Sequence, residues 1–531
     1  MHLSNLVGKA VGIIGLLALW AGTGPASAED APWRVGLARA KVTPEEPIRL
    51  SGYGGRSKPS DGVLSDLYVK ALAIEQPGSR PALLLTADLI DVGGAFTNEI
   101  CRRIGKETGL KREEILLVPS HTHAGPILVF EAADYGLKGE QLAAVERYSA
   151  KLMEQLTHLA VAAMADRRPA RLSWGAGKAD FVMNRRERTG DAVKIGVNRE
   201  GYVDASVPVL RVDEPDGRLR ALVFGCACHN TTLGSENLKI CAEYAGYAQE
   251  ELERKDEGAQ AMFVIGCGAD ANPYPRGTAA LAQQHGRSLA AEVARVAGGK
   301  LRPVGGPLRT LLDDVDLPLA SPPSRERLVE MSKGPSYLAG NARGMLRMLE
   351  RGEQPPRHYR APLAVWQFGR DLTLVALSGE VVSDYVPLIQ KAVGADGLWI
   401  AAYANDALGY VPSKKVLAEG GYETRGLNFV PGFFAPEVED VLVAKVHQMV
   451  QHARGGQPAK GSEPGGHRQQ PLGRRSGGRA ANFAWQRLIV RTTPQTLMPI
   501  VVTRSDKVPP RAPAIVHLSG YSISKEYRTT R

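Results

Sequence analysis

Short apolar runs alternate along the chain with longer stretches whose apolar positions recur every three or four residues. Residues 68–74, 82–86 and 115–118 are apolar runs of strand length. Residues 221–224, 261–265, 372–377 and 398–403 read the same way, and short runs bounded by turn residues predict strands. Residues 142–164 carry Leu and Ala at helical spacing, and the Ala-rich stretch 279–296 predicts a second helix. A last helix is expected over 436–449, with Pro436 suited to its first turn. Strands separated by helices predict an α/β protein, a layered mixed β-sheet with flanking helices. No internal repeat interrupts that pattern.

The two ends of the chain read differently. Residues 1–28 have a weakly basic start, an apolar run over 10–21 and the small-residue stretch Ala26-Ser27-Ala28. That is the pattern of a cleaved signal peptide. The run is too short to span a bilayer, which takes about 20 residues. No later stretch is apolar enough to predict a transmembrane segment in the mature chain, so a secreted or periplasmic protein is expected. Residues 454–480 are rich in Gly, Pro, Gln and Arg and predict a low-complexity linker. Residues 481–531 form a basic tail, expected to be poorly ordered despite a β-like run at 488–491. The body, 29–453, is the one candidate catalytic domain.

Charge changes the picture only by where it sits. The net charge of the 531 residues is +10. Residues 451–531 hold 14 Lys and Arg against 3 Asp and Glu, which leaves the body with 52 against 53. The body is neutral and lacks the basic-and-aromatic pattern of a nucleic-acid reader, so no nucleic-acid partner is expected. Five cysteines, Cys101, Cys226, Cys228, Cys241 and Cys267, are too few for a disulfide scaffold. A pair of Cys226 or Cys228 with Cys241 or Cys267 is open, and the sequence does not assign it. Cys228 beside His229 also raises a thiolate metal site, but a lone C-x-C lacks zinc-finger spacing.

Candidate chemistry gathers where strands end. Pro119-Ser120-His121-Thr122-His123-Ala124-Gly125-Pro126 follows the strand at 115–118. Extended backbone puts His121 and His123 on one face, and α/β proteins collect ligands at strand ends. His229 ends the stretch from Phe224, and Glu380 follows Ser378-Gly379 just past the strand at 372–377. Two His and a Glu can make a zinc site with an open position. Read singly, each has a plainer explanation: surface histidines, a buried structural histidine, a charged loop residue. Gly266-Cys267-Gly268-Ala269-Asp270-Ala271-Asn272-Pro273 lacks G-x-G-x-x-G spacing, which excludes a dinucleotide loop. No G-x-S-x-G elbow or Walker lysine loop is present.

Taken in order, these stretches resemble the catalytic domain of the neutral, non-lysosomal ceramidases. The matching stretches are Ser120 to Pro126, the strand ending at His229, Cys267 to Tyr274 and Ser378-Gly379-Glu380, then Gly409-Tyr410-Val411 with Tyr422-Glu423. They run in sequence through nearly the whole body. The resemblance implies an α/β catalytic domain holding one zinc ion. Its ligands would be His121, His229, Glu380 and Tyr422. His123 would handle protons beside the metal, Arg185 would position the scissile amide, and Asn272 would donate to developing charge. Asp88 or Asp270 would orient a ligand histidine.

The chain also departs from that family. Asn272 stands where the family has a serine, and Leu64 stands near the place of an early active-site histidine. An amide side chain hydrogen-bonds but does no hydroxyl chemistry. The expected function is therefore a zinc-dependent hydrolase, with an amide (N-acyl) bond as first expectation and ceramide itself not assumed. The substrate would be a small molecule, a lipid or a glycan. Hydrolysis of an ester or glycosidic bond is one alternative, and a non-catalytic metal- or ligand-binding protein is another.

Overall fold

The computed structural model describes residues 33–334, 336–455, 483–493 and 496–505. They belong to two compact units, 1–460 and 461–531. The signal segment and nearly all of the linker lie outside the described residues.

The first unit is built on two main sheets. In the larger the strand order is Gln260–Ile265, Leu219–Cys226, Ser206–Asp213, Arg168–Lys178, Trp33–Lys41, Tyr68–Glu75, Ala82–Ala87, Ile115–Pro119. Arg302–Pro303 pairs alongside Arg168–Lys178. The pair at each end is parallel and the pairs between are antiparallel. Every residue of Gln260–Ile265, Ala82–Ala87 and Ile115–Pro119 is buried. Strands covered on both faces have no reason to alternate polar and apolar positions, and these are the continuous runs visible in the sequence.

Helices cover this sheet. Gly139–Ala165 packs on Trp33–Lys41 and Tyr68–Glu75, Glu243–Lys255 on Gln260–Ile265, and Ala279–Ala297 on Arg168–Lys178. The first contact is close enough to require glycine: a Cβ on Gly36 would lie 1.9 Å from Ala163 O. The second sheet runs Leu308–Pro318, His358–Phe368, Leu372–Ala376, Leu398–Ala401, backed by the helix Val438–Ala453.

Where the sheets meet, the site is made. The large sheet curls until the loops beyond its two ends touch, with Thr122 bridged to Asn230. The loop after Leu398–Ala401 joins both ends. Ala402 N donates to Ile265 O (3.0 Å) on one side, and Asn405 N donates to Leu117 O (2.9 Å) on the other. The last expected strand therefore ends at Ala401 rather than at 403, because residues 402 and 403 leave it for other carbonyls. Tyr403 N donates to Gly379 O at 2.9 Å.

All five cysteines are buried and unpaired, so neither candidate disulfide forms. Burial pushes the thiols of Cys226 and Cys228 well up, away from thiolate ligation. In the second unit, Phe483–Thr493 pairs with Thr496–Ser505 as a hairpin. Its register sets Leu488 opposite Ile500 and Gln486 opposite Val502. β-Branched residues concentrated at 489–503 favour such pairing.

Candidate metal centre

His121 sits two residues past the strand Ile115–Pro119, at φ +59°. A left-handed backbone costs a residue other than glycine about 1–3 kcal/mol and persists where its surroundings dictate it. Here Ser120 N donates to Ala87 O (2.8 Å) and Thr122 N to Leu89 O (3.2 Å), one on each side of the strained residue. The ring is fixed as well, with Nδ1 2.9 Å from Ile90 O. A carbonyl only accepts, so in the neutral ring Nδ1 carries the proton and Nε2 turns its lone pair inward. His229, beyond the strand Leu219–Cys226, is held the same way, with Nδ1 2.8 Å from Gly268 O.

Glu380 and Tyr410 come from the other sheet's side. They are register partners in a short parallel ladder of Glu380–Val381 with Tyr410–Val411. Glycines on the approach make room: Gly379 has φ +75°, and a Cβ there would lie 2.7 Å from Gly409 O. Glu380 Oε2 is 3.4 Å from His121 Nε2 and 3.2 Å from His229 Nε2. The Tyr410 hydroxyl is 3.2 Å from His229 Nε2. His123 closes the ring of donors, its Nε2 3.2 Å from His121 Nε2.

The donor set fits a divalent cation. Donor atoms of His121, His123 and His229 lie within 4.8 Å of one another. His121 Nε2 and His123 Nε2, 3.2 Å apart, need a proton or a cation between them. Glu380 Oε2 is buried without a well-aligned hydrogen bond, although two imidazoles stand close. Imidazole nitrogens with a carboxylate and a phenol form the ligand class of zinc and its neighbours.

Electrostatics point the same way. Burial lowers the pKa of His121, but Glu380 and Asp91 outweigh it and raise the ring to about 10. The Asp91 carboxylate lies 3.6 Å from His121 Nδ1. Burial and then the Arg185 charge bring His229 down to about 3. Burial also pushes His123 well below the usual imidazole range. Without a metal, one proton on His121 is the positive charge that balances Glu380.

The remaining predicted residues fall around this centre. Arg185 is buried, and its Nε donates to Glu423 Oε1 (2.8 Å), its Nη2 to Tyr410 Oη (3.0 Å) and its Nη1 to Asn272 Oδ1 (3.4 Å). Neither Arg185 nor Asn272 lines the open cleft above the donors. Tyr422 does, one ring farther out, 5.3 Å from Tyr410 between centroids. Asp88 and Asp270 do not orient a ligand histidine. Asp88 accepts from Tyr68 N and Gln249, and Asp270 accepts from Ser383 and Asn184. That role falls to the carbonyls of Ile90 and Gly268. Leu64 is exposed and outside the cleft.

Tyr410, in the matched stretch Gly409-Tyr410-Val411, stands nearer the donors than Tyr422, to which the resemblance gives the ligand role. Its register pairing with Glu380 and its hydroxyl 3.2 Å from His229 Nε2 set it apart from Tyr422.

The cleft above the donors has a volume of about 630 Å³. His121, His123, Glu380 and Tyr410 form its floor, and residues from Gly340 to Arg347 and from Tyr422 to Pro431 contribute its outer wall. His123 is seated on Gly52, where an added Cβ would lie 2.5 Å from its ring. Arg56 donates to the His123 carbonyl.

Residues 33–288 match the family described as neutral/alkaline non-lysosomal ceramidase, N-terminal. The neutral ceramidase of Pseudomonas aeruginosa is 26% identical over 245 residues, 45% of this chain and 36% of that protein. The neutral ceramidase of Drosophila pseudoobscura pseudoobscura is 20% identical over 262 residues, 46% of this chain and 36% of that protein. These alignments thus span about a third of each relative. The crystal structure of the Pseudomonas aeruginosa enzyme superposes with a TM-score of 0.62 at 19% identity, covering 80% of this chain and 75% of that one. A ceramidase complexed with C2 gives 0.63 at 18% identity with the same coverage. The layered sheets and flanking helices are the fold of those structures.

Proposed function

The chain is a divergent member of the neutral/alkaline ceramidase family, and from that premise we propose that it is a zinc-dependent hydrolase of an amide (N-acyl) bond. The observation that carries the reading is the convergence of His121, His123 and His229 with Glu380 Oε2, a buried oxygen lacking an aligned hydrogen bond. His121, His229, Glu380 and Tyr410 would hold the ion, Tyr410 taking the place first expected of Tyr422. Zinc, when bound, supplies Lewis acidity and a water of lowered pKa.

The protein's own part is positioning and proton transfer. His123 stays neutral at pH 7 because it is buried, so it is free to accept a proton at a ring nitrogen. Its Nδ1 has no hydrogen-bond partner among the described residues. Arg185 holds the Tyr410 oxygen rather than the substrate, and Asn272 holds Arg185.

A second reading makes His123 a ligand, since its donor atom lies with those of His121 and His229. His123→Gln separates the two: the metal stays if His123 carries protons and is lost if it ligates. The signal-like segment 1–28 supports export to the periplasm or beyond. No helix among the described residues is long and apolar enough to cross a membrane.

The test is the metal content of the full chain, purified without chelators or nickel, beside that of His229→Ala. About one zinc per chain is expected in the parent. The variant should lose more than about a hundredfold in affinity, since removing a group that merely orients a ligand already costs about 10–100-fold. A parent that takes up no metal overturns the reading. A panel of N-acyl, ester and glycosidic substrates then identifies the bond. Metal without turnover on any of them would make the protein a binding protein on this fold.

A further inference from the structure

We propose that the substrate of this cleft carries an anionic group, a carboxylate or a phosphate, and that the outer wall recognises it through Arg343, Arg347 and Arg425. The inference rests on the hydrolase reading and extends it to the class of substrate. Arginine usually enters a protein interior with a carboxylate, and the inner arginines here obey that rule. Arg185 and Arg186 share Glu423, at 2.8 and 2.5 Å. The wall is built otherwise.

Arg343 and Arg347 lie one turn apart on the helix Ser336–Glu350, where like charges repel. Neither has a carboxylate within ion-pair distance among the described residues. The Arg343 guanidinium donates once, to Ser332 O at 3.1 Å, and the Arg347 side chain makes no hydrogen bond among the described residues. Arg425 lies over the Tyr422 and Tyr410 rings, 5.4 and 5.9 Å from their centroids. Its one side-chain hydrogen bond among the described residues runs from Nη1 to the Tyr422 hydroxyl, 2.7 Å. Its Nε and Nη2 remain for a ligand.

One carboxylate, Asp134, feels both Arg347 and Arg425, and burial raises its pKa. The cleft also holds Asp91, Glu131 and Glu380, but on its outer wall three guanidiniums stand against the one acid Asp134, which makes that wall a site for an oxyanion. The planar fork of arginine matches carboxylate and phosphate oxygens equally well. The same wall has an apolar lip, Leu427, Phe429, Val430 and Pro431, with Phe429 41% exposed. A medium acyl chain lying there would leave the far side of an N-acyl compound facing the arginines.

The experiment measures binding of three compounds to the full chain by calorimetry, with zinc content read separately. They are N-octanoylglycine, N-octanoylphosphoethanolamine and the uncharged N-octanoylglycinamide. One or both anions should bind at least about tenfold tighter than the amide, the worth of one charge-assisted hydrogen bond. Which anion is preferred tells carboxylate from phosphate. Arg347→Ala should remove most of the preference while leaving zinc content and amide binding unchanged. Equal binding of all three, or no binding of any by a zinc-loaded chain, overturns the inference and leaves the hydrolase reading standing. A preference that survives both Arg347→Ala and Arg425→Gln overturns it too. A chain that takes no zinc fails the hydrolase reading, and its ranking of the anions against the amide still decides this one.

Discussion

On the inner side of the cleft Arg185 meets Glu423 at 2.8 Å, and Glu380 stands within 3.4 Å of two imidazoles. On the outer wall, Arg343 and Arg347 meet no carboxylate among the described residues. Both regions line or brace one cavity, yet their charges serve different ends. The inner charges are matched within the chain and hold the donors in place. The wall charges have Asp134 nearby but form no ion pair among the described residues, and the partner proposed for them is an oxyanion from outside.

The comparison can be broken at either end. The largest effect is expected from Arg185→Ala, which leaves Glu423 buried with half its cationic support. Breaking a buried pair costs about 3–5 kcal/mol, and because Arg186 remains, about 3 kcal/mol is expected from the denaturant midpoint. Unchanged stability would show that the inner network is not structural.

Gly52→Ala comes next. The added carbon would press on the His123 ring, and Gly52 has φ +96°. A misplacement of about 1 Å costs about a hundredfold in rate, so turnover should fall by that much while zinc stays near one per chain. Loss of zinc as well would move His123 into the ligand set.

The third effect is on pH dependence. With the His121 pKa at about 10 in the bare centre, the ring is protonated at pH 8, and a metal must displace that proton. Affinity should then rise about tenfold per pH unit below 10. Calorimetry in two buffers of different ionisation enthalpy should count about one proton released at pH 8. No release would mean His121 is not a ligand.

The smallest effect is the stability of Arg347→Ala. A side chain with no ion pair or side-chain hydrogen bond among the described residues should shift the midpoint by no more than about 0.5 kcal/mol. A large loss would give Arg347 a structural duty and weaken the contrast.

Much of this arrangement is legible in the sequence, for physical reasons. The strands that present His121 and His229 are buried on both faces and stand out as unbroken apolar runs. The strands between them do not. Arg168–Lys178 is interrupted by Pro169, Gly175 and Gly177, and its burial alternates. Val182–Thr189 reads as charged loop because Arg185 and Arg186 find their acid in Glu423, far along the chain. Tyr410 is hard to tell from Tyr422 in the sequence for a similar reason. Its nearness to Glu380 comes from a parallel ladder between two loops, and a linear pattern carries no trace of it. The wall arginines look like any solvated helix face until the cleft is seen.

The meeting of the two sheets has a mechanical consequence. His121 and His229 follow the two ends of one sheet, and Glu380 and Tyr410 sit on a short ladder beside the other. An ion held by all four would be a tether across the seam between them, closing loops of very different lengths with one set of bonds. Its departure would free those loops together. Release of the ion should therefore register as earlier, broader melting of the whole unit and not as a local loosening of one loop.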